Sequence, residues 1–176
     1  MKVLAISGKA EAGKDTVAQA LKKKLEPMGY KVLVVHYADL LKYICKTFFG
    51  WDGKKDEHGR TLLQKIGTEV IREQQPEYWI SFIKDILHFF PNEWNFVIIP
   101  DCRFPNEIKE IEEDFDCSSV RVIRPDYQNH LTDEQRLHPS ETALDDWRFD
   151  YYLNNPGDEK GLDIELNGFI DELFKR

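Results

Sequence analysis

Val3-Leu4-Ala5-Ile6-Ser7-Gly8-Lys9-Ala10-Glu11-Ala12-Gly13-Lys14-Asp15-Thr16 decides the fold. Its first four residues are an uninterrupted apolar run, the pattern of a strand buried on both faces of a parallel sheet. Gly8 to Lys14 then matches G-x-x-x-x-G-K. From Lys14 to Leu25 the spacing of Ala18, Leu21 and Leu25 predicts one apolar helical face, ending before Pro27 and Gly29. A strand before and a helix after is the context in which this motif cradles phosphates. The glycines let the backbone curl until successive N–H groups face one concavity, and the helix N-terminus adds partial positive charge. Lys14 is placed to reach the outer phosphates of a nucleoside triphosphate. Gly8, Ala10, Glu11, Ala12, Gly13, Lys14, Asp15 and Thr16 are the candidate phosphate-loop residues.

Outward from the loop, Lys31 to His36 reads as a second buried strand, so strand, helix and strand form a right-handed parallel crossover. Leu40 to Phe49, Arg60 to Glu73 and Tyr78 to Phe90 carry apolar residues three or four apart and predict helices; Gly50 to Gly59 between them is polar and glycine-punctuated, as in a surface loop. Asn95 to Pro100 predicts a third strand followed by a short helix with Ile108 and Ile111 inward, and Val120 to Ile123 a fourth. Asp150 to Leu153 predicts a short fifth strand, and Leu162 to Phe174 an amphipathic terminal helix. Alternating strands and helices predict a single α/β domain over 1–176, three layers deep around a parallel sheet.

The 24 Lys and Arg against 32 Asp and Glu give a net charge of −8, which argues against a nucleic-acid coat or a basic membrane-surface protein. Anionic ligands would have to be held by a local cationic pocket. Cys45, Cys102 and Cys117 are too few for a disulfide framework and lack zinc-ligand spacing, so a reducing, cytoplasmic setting is expected. The apolar run at Val3 to Ile6 is too short for a signal sequence, and no stretch reaches 18 apolar residues.

Asp15 stands where a Ser or Thr usually places a hydroxyl on Mg²⁺, and Thr16 follows one residue later. Thr16 is the candidate hydroxyl and Asp15 a second candidate metal-side group, orienting it or holding metal-bound water; Asp15 would alternatively only complement the helix N-terminus. Asp101 closes the third strand at the same sheet edge as the loop, Arg103 follows, and Pro105 opens a helix with Glu107 in its first turn. Asp101 could serve Mg²⁺ or the attacking group, or simply cap a helix. Arg60, Arg72, Arg121 and Arg124 are candidate neutralisers of transferring charge. Gln64, Thr68 and Glu69 form a polar stripe that fits either base reading or a solvated helix face. Ser140-Glu141 reads first as a helix start and second as a nucleotide contact.

Four segments together resemble the phage deoxynucleoside monophosphate kinase family: Gly8 to Thr16, Arg60 to Arg72, Asp101 to Glu107 (D-C-R-F-P-N-E) and His138 to Glu141 (H-P-S-E). Gly13-Lys14-Asp15-Thr16 is also similar to the G-K-G-T loops of nucleoside monophosphate kinases. The resemblance implies a P-loop kinase fold, with a helical monophosphate-binding region at about 39–92 and a lid at about 124–140. It implies ATP and Mg²⁺, a deoxynucleoside monophosphate acceptor, the cytoplasm (of the host, if phage-encoded) and a possible homodimer. In this reading Lys14, Arg103, Arg124 and Asp101 serve transfer. Asp39, Lys42, Arg60, Gln64, Thr68, Glu69, Arg72, Trp79, Arg103 and Glu107 serve the acceptor, and Asp150 to Gly157 the adenine. Glu11 and Ala12 depart from the basic or hydroxyl pair expected in the loop. Other small-molecule kinases of the same fold, and a nucleotide-binding module without transfer, are the alternatives.

Overall fold

The computed structural model describes residues 1–54, 56–125, 127 and 129–175. Five strands form one parallel sheet: β1 (Lys2–Ser7), β2 (Val32–Val34), β3 (Phe96–Cys102), β4 (Asp116–Ile123) and β5 (Tyr151–Asn154), in the order β2-β3-β1-β4-β5. Val3, Leu4, Ala5 and Ile6 are fully buried because β1 lies at the centre, bonded to β3 on one side and β4 on the other. The chain leaves β1 toward β2 on one flank and later crosses to β4 on the other. The carboxyl end of β1 is thus a topological switch point, where open α/β sheets bind ligands.

Side chains of β1 alternate between the two faces. Leu4 and Ile6 pack with Val17, Leu21 and Leu25 of α1 (Lys14–Leu25) and Leu166, Phe169 and Ile170 of α8 (Glu159–Leu173). Val3 and Ala5 pack on the other face, with Leu41 and Cys45 of α2 (Ala38–Phe49), Ile80, Ile83 and Leu87 of α4 (Tyr78–Phe89), and Ile108 and Ile111 of α5 (Pro105–Asp114). This is the expected three-layer α/β architecture. Between α2 and α4 run α3 (Glu57–Gln64) and a π-helical stretch, Lys65–Arg72; after β4 come two short helices, α6 (Asp133–Leu137) and α7 (Pro139–Thr142). No helix among the described residues is long and apolar enough to cross a membrane.

Several boundaries differ from expectation. The second strand pairs only over Val32–Val34, and Asp101 and Cys102, expected just past the third strand, belong to it. β4 begins at Asp116 rather than Val120: Ser118 and Ser119 are buried polar residues, and Asp150 satisfies Ser119 through its N–H and hydroxyl, both 2.8 Å. The expected loop at 50–59 is shorter. Asp56 caps α3 by accepting from Gly59 N–H at 2.8 Å, and Trp51 is buried with its indole donating to Lys54 O at 2.9 Å. Lys55 of that loop, and residues 126 and 128 of the expected lid, lie outside the described residues.

Candidate active site

The phosphate loop takes its shape from close approaches that only glycine allows. A Cβ on Gly8 would come within 2.7 Å of Val122 O; Gly13, at φ 87°, caps α1 against the carboxamide of Asn155. Asn155 is buried, donates to Ala12 O at 2.9 Å and accepts from Gly157 N–H at 3.1 Å, so it ties the loop to the end of β5. Lys14 folds over the loop, donating to Gly8 O and Lys9 O at 2.9 Å each. Burial, and secondarily the nearby Arg103, pull its pKa down to about 7. Glu141, Asp101 and Asp15 offset this only in part.

Glu11 is the sole non-glycine residue at positive φ among the described residues, at 65°. Such a backbone costs on the order of 1–3 kcal/mol and persists only where its surroundings hold it. Its carboxylate accepts from Arg60 Nη2 at 2.5 Å, Tyr127 Oη at 3.1 Å, His130 Nδ1 at 2.9 Å and His130 N–H at 3.2 Å. Arg60 foremost among these holds its pKa down at about 2. One loop side chain thus joins α3 to the segment after β4.

A cavity of about 570 Å³ opens from the loop toward the helices between β2 and β3. Ala10, Glu11, Gly13, Lys14, Asp15 and Thr16 line its phosphate end. Lys42, Arg60, Gln64, Thr68, Arg72 and Trp79 line the helical wall, and Asp101, Arg103, Glu107 and Arg124 complete it. Gly8 and Ala12 support the loop from behind the lining. Two acceptor-side residues fall outside it as well. Asp39 pairs with Lys42 at 2.9 Å and His36 at 3.3 Å; Glu69 is half exposed, 3.9 Å from His138. Glu69 misses because it is the immediate neighbour of Thr68, and adjacent helical residues point roughly a quarter-turn apart. Gln64, Thr68 and Arg72, four residues apart, share the cavity side. Gly67 between them lies against Leu41, and its carbonyl accepts from Trp79 Nε1 at 3.1 Å.

The carboxylates at the edge of β3 hold backbone together. Asp101 accepts from Tyr37 N–H at 3.0 Å and Ala38 N–H at 2.9 Å, so it caps α2, with burial raising its pKa. Glu107, buried, accepts from Arg103 N–H at 2.5 Å and Phe104 N–H at 3.0 Å and pairs with Arg72. It therefore shapes the turn and anchors an arginine while lining the cavity. Arg72 also lies over the Phe104 ring at 4.0 Å. Arg124 stacks on Tyr127 at 4.0 Å and approaches Gly157, which places it at the loop expected to hold adenine.

Sequence reasoning missed His36, Tyr37, Leu41, Leu63, Phe104 and Leu131 in the lining. His36 had a signal: it follows β2 at the sheet edge that carries the loop. Its Nε2 meets Asp15 at 2.6 Å, and that carboxylate raises the imidazole pKa. The others are apolar or backbone-anchoring groups with no pattern of their own.

Five parallel strands in the order β2-β3-β1-β4-β5, with a G-x-x-x-x-G-K loop after the central strand, match the fold of solved P-loop kinases. The chain is similar to Mycobacterium tuberculosis APS kinase CysC in complex with AMPPNP and APS at TM-score 0.52 and 16% identity, over 98% of this chain and 96% of that one. It is likewise similar to shikimate kinase from Aquifex aeolicus at TM-score 0.54 and 12% identity, over 99% and 97%. No family model and no curated protein matches the sequence.

Proposed function

We propose that the protein transfers the γ-phosphoryl group of ATP to a deoxynucleoside 5′-monophosphate. The observation that carries this reading is a cavity that brings the G-x-x-x-x-G-K loop together with Lys42, Arg60, Arg72, Arg103 and Arg124, four of them held in place by carboxylates, in a chain of net charge −8. Two phosphate-bearing ligands meeting end to end need that many cations. Gln64 and Thr68 supply neutral hydrogen-bonding groups for a base on the helical wall.

In the transfer, an acceptor phosphate oxygen forms a bond to the γ-phosphorus as the bond to the β,γ-bridging oxygen breaks. ADP leaves with that electron pair. Lys14 and Arg103 neutralise charge on the transferring group, Arg124 covers the nucleotide, and Lys42, Arg60 and Arg72 orient the acceptor. Catalysis is positioning and charge neutralisation, with no covalent enzyme intermediate. A phosphate acceptor also needs no general base. That suits Asp101 and Glu107, whose oxygens are engaged by backbone N–H groups. Thr16 and Asp15 are hard oxygen donors beside the loop and would fit Mg²⁺ carried on ATP, where the ion would neutralise phosphate charge. Among the described residues no group of three or more His, Cys, Asp or Glu side chains could hold a metal by itself.

APS kinase and shikimate kinase, with their shared fold, favour a second reading in which the acceptor is another small molecule. ADP formation from ATP and Mg²⁺, measured with each deoxynucleoside monophosphate and with hydroxyl acceptors such as shikimate, separates the two. Turnover with a monophosphate is expected; turnover only with a non-nucleotide acceptor overturns the proposal. Arg103→Ala should lower kcat by about 10²–10³-fold and leave ATP affinity within a few-fold, as for loss of a transition-state donor.

A further inference from the structure

We propose that Glu141, on the short helix α7 after β4, is the positioning residue that sets Arg103 over the phosphate loop. This rests on the kinase reading of the cavity. Its carboxylate is almost wholly buried, with the side chain 7% exposed. One oxygen accepts from Ala10 N–H in the loop at 2.9 Å, and the other from Arg103 Nη1 at 2.6 Å. The same Nη1 also reaches Ser140 O at 3.3 Å and Gly8 O at 3.4 Å. Glu141 O accepts from Lys9 Nζ at 2.7 Å, so loop and helix are clasped from both sides.

This arrangement divides the guanidinium in two. Nη1 sits among three protein acceptors, whereas Nε and Nη2 have no protein acceptor among the described residues, on a side chain that lines the cavity. The Nε–Nη2 edge is a planar fork of the kind that meets two phosphate oxygens at once. A buried carboxylate that bonds a loop amide and an arginine together fixes the distance from that fork to the loop. Such distances matter, since a misplacement of about 1 Å can cost about 10²-fold in rate. A second reason for an acid here is charge. Lys14 and Arg103 repel one another, and Glu141 offsets that repulsion, stabilising the Lys14 ammonium more than Asp101 or Asp15 does.

The test is Glu141→Gln with Glu141→Asp as the conservative partner. Gln keeps the volume and one acceptor but presents an N–H₂ group or an uncharged oxygen to Arg103; Asp restores the charge on a shorter arm. In Glu141→Gln, kcat should fall about 30–100-fold with KM for ATP changed less than about threefold, and Glu141→Asp should recover part of the loss. Equal kcat in wild type and Glu141→Gln overturns the assignment. A second measurement does not depend on turnover: ¹⁵N spectra of the arginine side chains, with Arg103 assigned by Arg103→Lys. Hindered rotation should give Arg103 separate Nη1 and Nη2 signals in the wild type and a single averaged signal in Glu141→Gln. Separate signals that persist in the variant overturn the positioning role. If the wild type transfers phosphoryl to no acceptor, the kinase reading fails, and these spectra alone decide whether Glu141 holds Arg103.

Discussion

Lys14 and Glu11 lie three residues apart in one loop, and their surroundings drive them in opposite directions. Burial takes the Lys14 ammonium to a pKa of about 7, while Arg60 and the donors after β4 keep Glu11 ionised down to about 2. The consequence for ligand binding follows from linkage. Phosphates beside Lys14 stabilise its charged form and raise its pKa, so above pH 7 binding must bring a proton with it. At pH 8, where phosphate groups with a second pKa near 6 are already ionised, calorimetry of ATP binding in buffers of different ionisation enthalpy should show uptake of about one proton. Affinity should weaken by up to about tenfold per pH unit above 7, and in Lys14→Met the uptake should vanish. No uptake in the wild type would mean that Lys14 is already charged in the free protein. Glu11 contributes in the opposite sense. Its ion pair with Arg60 is fully formed above the ordinary carboxylate range and is lost only as pH falls through about 2, so the clasp between loop and α3 is insensitive to pH near neutrality.

At the scale of elements, the stretch Lys65–Arg72 presents Thr68 and Arg72 to the cavity and Glu69 away from it. A Cβ at Gly67 would come within 2.6 Å of Leu41 Cδ2, the far end of a side chain that lines the cavity. In Gly67→Ala the gain in helix propensity, about 1 kcal/mol, offsets most of the cost of moving Leu41, so the melting temperature should shift by only a few degrees. Leu41 lines the cavity, so a displaced side chain takes up space there. KM for the monophosphate should therefore rise several-fold while KM for ATP holds; equal changes in both would place Leu41 away from the acceptor. The same stretch shows where sequence reasoning runs out. The apolar run at Val3 to Ile6, the glycine-bounded loop and the period of α1, α4 and α8 announce the strands, the crossover and the layers. A helical period leaves open which of the adjacent Thr68 and Glu69 faces inward; Thr68 lines the cavity and Glu69 does not. Pairs such as Glu11 with Arg60 and Glu141 with Ala10 join residues 49 and 131 positions apart, and no periodicity carries that information. Asp101, legible as a carboxylate at a strand end, proved to cap a helix that precedes it by more than sixty positions.

The whole molecule is two apolar clusters divided by one sheet, and only one of them stands behind the acceptor wall. Leu166 belongs to the cluster under α1 and α8, whereas Ile83 belongs to the cluster under α2, α4 and α5. Both side chains are essentially fully buried. Leu166→Ala should cost about 2–5 kcal/mol and Ile83→Val about 0.5–1.5 kcal/mol in urea unfolding. The milder change at Ile83 limits the destabilisation of the double variant. Because the two sites belong to separate clusters with the sheet between them, their costs should add to within about 0.5 kcal/mol. Function should divide unequally. Ile83 lies one helical turn from Trp79, which lines the cavity and bonds Gly67 O, so Ile83→Val should also raise KM for the monophosphate. Leu166→Ala should leave it unchanged at temperatures where the variant is fully folded. A coupling above about 1 kcal/mol, or an equal rise in KM from both substitutions, would show that the central strand transmits packing changes across the sheet rather than isolating the two layers.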